Sequence, residues 1–292
     1  MKKPFLNRII LWSFERFPPI QIVTAFLTFA IVCRPVALQP DLFRDLSLGT
    51  WIVFSVLIIL RILDEHKDYE SDLVAHPERL LQKRILSLLD LRKVALFFLT
   101  ISLILVFVFY RKATVYTSLV GLIFWGFLMT KEFFVKKWLS ERLFLYSISH
   151  LLISPALIYF CATLVGSENN KNIYLMMLTS FFSAFSYEVA RKIKGADEEN
   201  INELNYVNSY GIINPLILFV CVSVFALLAS IQMVQLTNLN LMFYMIGFAY
   251  CIAAAILFYK KPVKKFRKLN EAAAATVGLI AFLVPLSKLL YG

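Results

Sequence analysis

Long apolar runs alternate with shorter polar segments along most of the chain. A hydrocarbon core about 30 Å thick is crossed by roughly 20 helical residues. Scanning for runs of that kind predicts nine spans: Pro19–Cys33, Leu48–Leu63, Val94–Tyr110, Ala113–Thr130, Leu143–Val165, Ile173–Ala190, Ile212–Met233, Leu239–Tyr259 and Ala272–Leu290. Segments alternating in hydrophobicity with period two are absent, which excludes a closed β-barrel. The expected fold class is an all-α integral membrane protein of nine transmembrane helices, residues 1–292 forming one domain.

Composition agrees with that pattern. The 292 residues are 60% hydrophobic and 17% charged, with mean hydropathy +0.73; soluble domains run at about 45–50% apolar and about 25% charged. The start MKKPFLNRIILW has the basic beginning of a signal peptide, but its apolar run follows Pro18–Pro19 without a small-residue cleavage site. A retained first helix is expected. Cys33, Cys161, Cys221 and Cys251 lie in or beside apolar runs with no metal-ligand spacing, so neither a zinc site nor a disulfide framework is indicated.

Charge fixes the expected orientation. Of the 30 Lys and Arg residues, 24 fall on the side of the N-terminus and 6 on the other, so the positive-inside rule places the N-terminus in the cytoplasm and the C-terminus outside. The net charge of +11 therefore marks topology and not nucleic-acid binding; the cluster Lys260–Lys268 reads as an anchor for anionic membrane lipids. The long polar segments Asp64–Lys93, Lys131–Arg142 and Arg191–Tyr210 all lie on the cytoplasmic side, and so does any charged chemistry.

Candidate chemistry starts in the first of these. If the second span continues as a helix, Asp64, Glu65, Asp68 and Asp72 share one face at i, i+1, i+4 and i+8. Stacked carboxylates repel and call for a cation. Mg²⁺ is commonly held by a few carboxylate oxygens, with water and phosphate completing its shell. The plain alternative is a solvated juxtamembrane face balanced by Arg61 and Lys67.

The stretch Asp64-Glu65-His66-Lys67-Asp68-Tyr69-Glu70-Ser71-Asp72 resembles the first aspartate-rich motif, NDxxDxxxD, of the UbiA superfamily of intramembrane prenyltransferases, with Asp64 for Asn and Glu65 for Asp. Pro77-Glu78-Arg79 and Lys83-Arg84-Ile85-Leu86-Ser87 resemble the family's Arg-Pro…Gly-x-Ile-Ser loop without its Pro and Gly. The resemblance implies nine helices with this motif after the second. It also implies a second acidic motif after the sixth, where Glu188 matches the first acid but Arg191 and Lys192 replace the next, and acids return at Asp197–Glu199. Asp68 and Glu188 each follow an even-numbered helix, which suggests helices 1–4 and 5–8 as a pseudo-repeat, plus a ninth helix, around a central cavity.

The resemblance further implies Mg²⁺-dependent transfer of a prenyl group from an allylic isoprenoid diphosphate to an acceptor the residues do not identify. In that reading Asp64, Glu65, Asp68, Asp72 and Glu188 hold metal, with Asp68 and Asp72 catalytic. Arg79, Lys131, Lys136, Arg191 and Lys192 meet the diphosphate. Phe181, Phe185 and Tyr187, with Phe182 nearby, offer aromatic faces to the prenyl cation. His150 is a candidate for orienting the acceptor or taking its proton, or else a histidine hydrogen-bonded within the bundle. The expected location is a prokaryotic cytoplasmic membrane, multi-pass. Two other readings stay open: a cation-binding transporter, disfavoured because the mid-span positions carry almost no charge, and a family member that has lost catalysis, suggested by the altered second motif.

Overall fold

The structure, a computed structural model, describes residues 4–17, 20–33, 42–198 and 205–291. Lys2, Lys3, Pro18, Pro19, Arg34 and Glu199 lie outside them. In chain order the helices are α1 (Phe5–Arg16), α2 (Ile20–Cys33), α3 (Leu42–Lys67), α4 (Tyr69–Ala75), α5 (Leu88–Phe109), α6 (Ala113–Thr130) and α7 (Lys136–Ser140). They continue as α8 (Leu143–Leu151), α9 (Ile153–Val165), α10 (Lys171–Lys192), α11 (Tyr206–Tyr210), α12 (Ile213–Ile231), α13 (Asn238–Lys260) and α14 (Lys264–Tyr291). No strand occurs among the described residues.

Among the described residues, eight segments are long and apolar enough to cross a bilayer: α3, α5, α6, the α8–α9 pair, α10, α12, α13 and α14. Of the first expected span, Pro19–Cys33, the described residues form helix α2, Ile20–Cys33. The fifth expected span is interrupted at Leu152, between α8 and α9. Pro155 has no N–H to offer the Leu151 carbonyl, and that missing bond accounts for the break.

The chain divides into two compact units. The first comprises residues 1–134 and 160–167. Its core gathers Trp12 and Phe17 with Ile58 and Ile62 of α3, Leu81 and Leu86 of the following loop, and Leu91 and Val94 of α5. Helix α5 begins with a reciprocal cap: Ser87 Oγ accepts the Asp90 N–H at 3.1 Å and Asp90 Oδ2 accepts the Ser87 N–H at 3.2 Å. This satisfies two of the donors a helix start leaves open. After α6 the chain makes a left-handed turn over Glu132, Phe133 and Phe134, with φ of 46°, 54° and 60°.

The second unit comprises residues 135–159 and 168–292. Val189, Ala190, Phe219, Val222, Ala226, Phe258, Ala273, Ala274 and Val277 form its buried centre. Small residues let helices approach closely in lipid, where water does not drive them together; a Cβ on Gly247 would lie 3.0 Å from Ile280 Cδ1. Hydroxyl pairs add cross-helix clips. Ser186 Oγ lies 2.6 Å from Ser223 Oγ, and Ser230 Oγ meets the Tyr244 hydroxyl at 2.8 Å and donates to the Ala281 carbonyl at 2.7 Å.

The loop after α10 is held against the start of α14. A Cβ at Gly195 would sit 2.6 Å from Val263 Cα, a backbone atom that cannot swing aside. Gly195→Ala is therefore expected to cost about 1–3 kcal/mol, read as a lower melting temperature in detergent. Gly121→Ala is the control: nothing lies within 4 Å of its added methyl, and a helical Gly→Ala change there is neutral or stabilising.

Candidate functional site

In the first unit the acidic stretch straddles a break. Helix α3 ends at Lys67 and α4 starts at Tyr69, with Asp68 between them at φ −94°, ψ 2°. One unbroken helix is therefore not what forms. The four-residue register survives the break: the Asp68 N–H donates to the Asp64 carbonyl at 2.9 Å and the Asp72 N–H to the Asp68 carbonyl at 2.8 Å.

The four acids differ in surroundings. Glu65 is 1% exposed, and its Oε1 accepts from Arg16 Nε at 2.6 Å and Arg61 Nη2 at 3.0 Å. Its Oε2 is buried with no hydrogen bond. Asp72 Oδ2 accepts from Arg79 Nη1 at 2.5 Å, with Arg16 Nη2 at 3.8 Å. Arg16 thus spans both carboxylates. Asp64 and Asp68 are half exposed, at 49% and 48%; Lys67 Nζ approaches them at 4.0 and 3.8 Å, and Arg61 Nη1 approaches Asp64 at 4.0 Å. Beside them Arg92 Nε donates to His66 Nε2 at 3.1 Å, which leaves the ring proton on Nδ1, facing the Ile62 carbonyl at 2.8 Å.

Among the described residues, no three His, Cys, Asp or Glu side chains converge on a point where a metal could sit. A cage made by protein alone is thus not what this cluster offers. Mg²⁺ asks for less: one or two carboxylates, the rest of its octahedron filled by water and substrate phosphate. The half-exposed, hard-oxygen pair Asp64 and Asp68 fits that requirement. Glu65 and Asp72 fit it less well in this arrangement: arginines hold Glu65 Oε1 and Asp72 Oδ2, and the remaining Glu65 oxygen is buried.

The loop that follows carries Arg84 at φ 57°, a left-handed conformation glycine adopts cheaply. Arg84 stands where the resembling loop has its glycine. Lys131 caps the end of α6, exposed, before the left-handed turn.

The second unit holds the other acidic segment. Glu188 accepts from Arg191 Nε at 2.5 Å and from Lys192 Nζ at 2.8 Å, so the acid is matched by two cations of its own helix. Lys192 Nζ also lies 5.0 Å from the centre of the Tyr146 ring, on which the His150 ring stacks at 4.0 Å. His150 Nδ1 is 2.9 Å from the Tyr146 carbonyl. Lys136 opens α7, exposed. The prenyl-facing candidates divide. Phe185 is buried in the core, 5.8 Å from Phe181 and 5.6 Å from Phe144 between ring centres; Tyr187 is exposed.

A half-open cavity of about 350 Å³ is lined by Phe144, Tyr206, Tyr210, Asn214, Pro215 and Leu218. Tyr206 is buried, its hydroxyl 2.9 Å from Ser147 Oγ, and burial pushes its pKa up to about 12. Sequence reasoning passed over Tyr206, which sits in a polar stretch that looks like ordinary loop. The acids after the altered motif are structural. Asp197 Oδ1 accepts the Lys264 N–H at 2.7 Å, and Glu198 takes both arms of Arg267 at 2.7 and 2.9 Å. Arg267 also donates to Glu271. Burial raises the Glu198 pKa, but the Arg267 fork and the Gly195 N–H outweigh it and leave the carboxyl below its ordinary value.

No family model matches the chain, and no curated protein matches it in sequence. Two solved structures share its architecture. A structure of digeranylgeranylglyceryl phosphate synthase in membranes has TM-score 0.68 and 16% identity, over 97% of this chain and 99% of that one. A UbiA homolog from Aeropyrum pernix K1 has TM-score 0.65 and 13% identity, over 91% and 98%. The chain therefore has the all-helical fold of UbiA-type intramembrane prenyltransferases. With eight apolar helical segments of spanning length among the described residues, it is an integral, multi-pass membrane protein.

Proposed function

We propose that this protein transfers a prenyl group from an allylic isoprenoid diphosphate to a lipophilic or aromatic acceptor, with Mg²⁺ and at the cytoplasmic face of a nine-helix, N-inside membrane domain. The observation that carries the reading is the cluster at the α3–α4 break on this fold: two half-exposed aspartates at four-residue spacing, Asp64 and Asp68, with Arg61 and Lys67 beside them and Arg79 on neighbouring Asp72.

In this reading Asp64 and Asp68 would hold Mg²⁺, which would supply charge neutralisation to the departing diphosphate as it takes the electron pair of the allylic C–O bond. Arg79 adds a planar, permanently charged donor, held in place by Asp72. Glu65 fixes Arg16 and Arg61, and so keeps the positive rim around the aspartates. The allylic cation then meets the acceptor nucleophile, which loses its proton as the new bond forms. Exclusion of water by the surrounding lipid protects the cation from hydrolysis.

The assay is incubation of purified protein with radiolabelled geranyl, farnesyl and geranylgeranyl diphosphate in turn, with Mg²⁺ and then with EDTA, across a panel of acceptors. Diphosphate release that EDTA stops is the expected result. Binding of the diphosphates without release favours a second reading, a catalytically silent relative. The Glu188 pairs with Arg191 and Lys192 motivate that reading, since they put cations where a second acidic motif would stand. Neither binding nor release sinks both.

A further inference from the structure

Away from the acidic cluster, a groove of about 430 Å³ runs between α12 and α13 in the second unit. Ile213, Ile217 and Val220 wall one side and Ile252, Ile256 and Tyr259 the other. Each set advances by the three- and four-residue steps that keep side chains on one helical face, over about 10 Å of helix. That is two-thirds of one leaflet's share of a hydrocarbon core about 30 Å thick. Both helices have the length and hydropathy of membrane spans, so the groove faces lipid and accepts an apolar chain.

Its Tyr259 end adjoins a basic corner. Lys260 ends α13, Lys261 caps it, and Lys264 and Lys265 begin α14. All four are exposed, and none of their ammonium groups forms an ion pair with an Asp or Glu of the described residues, although Asp197 accepts the backbone N–H of Lys264. The neighbouring Arg267 and Lys268 are by contrast engaged with Glu198 and Glu271. An apolar slot opening beside exposed lysines is complementary to an amphiphile with an apolar chain and an anionic head, and its position between two membrane spans favours a lipid of the bilayer itself. We propose that this groove is a binding site for an anionic phospholipid, with one acyl chain between α12 and α13 and the headgroup phosphate on Lys260 and Lys261.

The site stands on the geometry and charge of α12 and α13 alone, so it survives or falls independently of prenyl transfer. The test uses full-length protein in neutral detergent and follows quenching of its fluorescence by a brominated phosphatidylglycerol. Unbrominated phosphatidylcholine, glycerol phosphate and geranylgeranyl diphosphate serve as competitors. Phosphatidylglycerol is expected to bind, phosphatidylcholine to compete weakly and glycerol phosphate, which lacks chains, not at all. A lysine close to an anionic lipid surface contributes about 1 kcal/mol, a factor of roughly five, so Lys260→Gln with Lys261→Gln should weaken binding about 25-fold. Ile256→Trp fills the slot from a lipid-exposed position that the fold does not need, and should weaken it without shifting the melting temperature. Lys171→Gln, an exposed lysine on α10, should leave affinity unchanged. Equal affinity for phosphatidylcholine, insensitivity to both variants, or displacement by glycerol phosphate overturns the assignment. Displacement by geranylgeranyl diphosphate at matching concentration also overturns it, in favour of a prenyl-chain site.

Discussion

Asp64→Asn combined with Asp68→Asn lowers Mg²⁺-dependent release of diphosphate by about 10³-fold, several kcal/mol of lost charge stabilisation at the breaking bond. The expectation follows from exposure as much as from charge. These two carboxylates lie half in solvent, while Glu65 and Asp72 give their oxygens to arginines at 2.5–3.0 Å. Because the asparagines keep shape and sit at exposed positions, the melting temperature should stay within a few degrees of wild type. Glu78→Gln is the matched control, an exposed carboxylate of the same segment whose ion pair is with His76, and it keeps full activity. Retention of Mg²⁺-dependent turnover in the double variant would show that the ion, if used, is held elsewhere.

The second large effect is on stability. Glu65 is 1% exposed and pairs with both Arg16 and Arg61, whose side chains are about four-fifths and three-quarters buried. Taking two charges out of water is repaid only while the pairing holds, and removing one partner of a buried pair costs about 3–5 kcal/mol. Glu65→Gln should lose an amount in that range, measured as unfolding in detergent with increasing SDS. Adding Arg16→Met and Arg61→Met to the same chain should recover much of the loss, because no orphan charge is then left buried. A Glu65→Gln protein as stable as wild type would mean that the arginines find other partners or water.

The contrast among these four acids shows where sequence reading stops. Their spacing is plain in the chain, and the four-residue register it implies persists across the Asp68 break. What spacing cannot give is the identity of their counterions: Arg16 comes to Glu65 from 49 residues away, on a short helix that ends just before the first expected span. The spans themselves were legible because an apolar run of sufficient length in lipid has few alternatives to a helix, which satisfies its own backbone. Their ends were less so. Helix α3 begins six residues before the expected Leu48, through Arg44 and Asp45, polar residues that a hydropathy scan discards. Pro155 announced the gap between α8 and α9, yet inside an apolar run it carries no hydropathic signal.

In the second unit, reading Glu188 as half of a metal motif was reasonable from its place after the sixth expected span. Lys192, four residues on, is one helical turn away, and the ion pair that forms is the local outcome. Asp197 and Glu198 look like a displaced remnant of the same motif, but in space they fasten the loop to α14. Acidic residues near a site in sequence need not serve it.

The left-handed turn at Glu132, Phe133 and Phe134 inverts a familiar rule of protein variation. Each of these residues has a Cβ crowding its own carbonyl, at a cost of roughly 1–2 kcal/mol apiece. Glycine or asparagine, which loosen a chain nearly everywhere else, would relax it here. Homologous chains that carry glycine at these three positions should therefore be read as conserving the bend, and a β-branched residue there as evidence that the connection follows a different path.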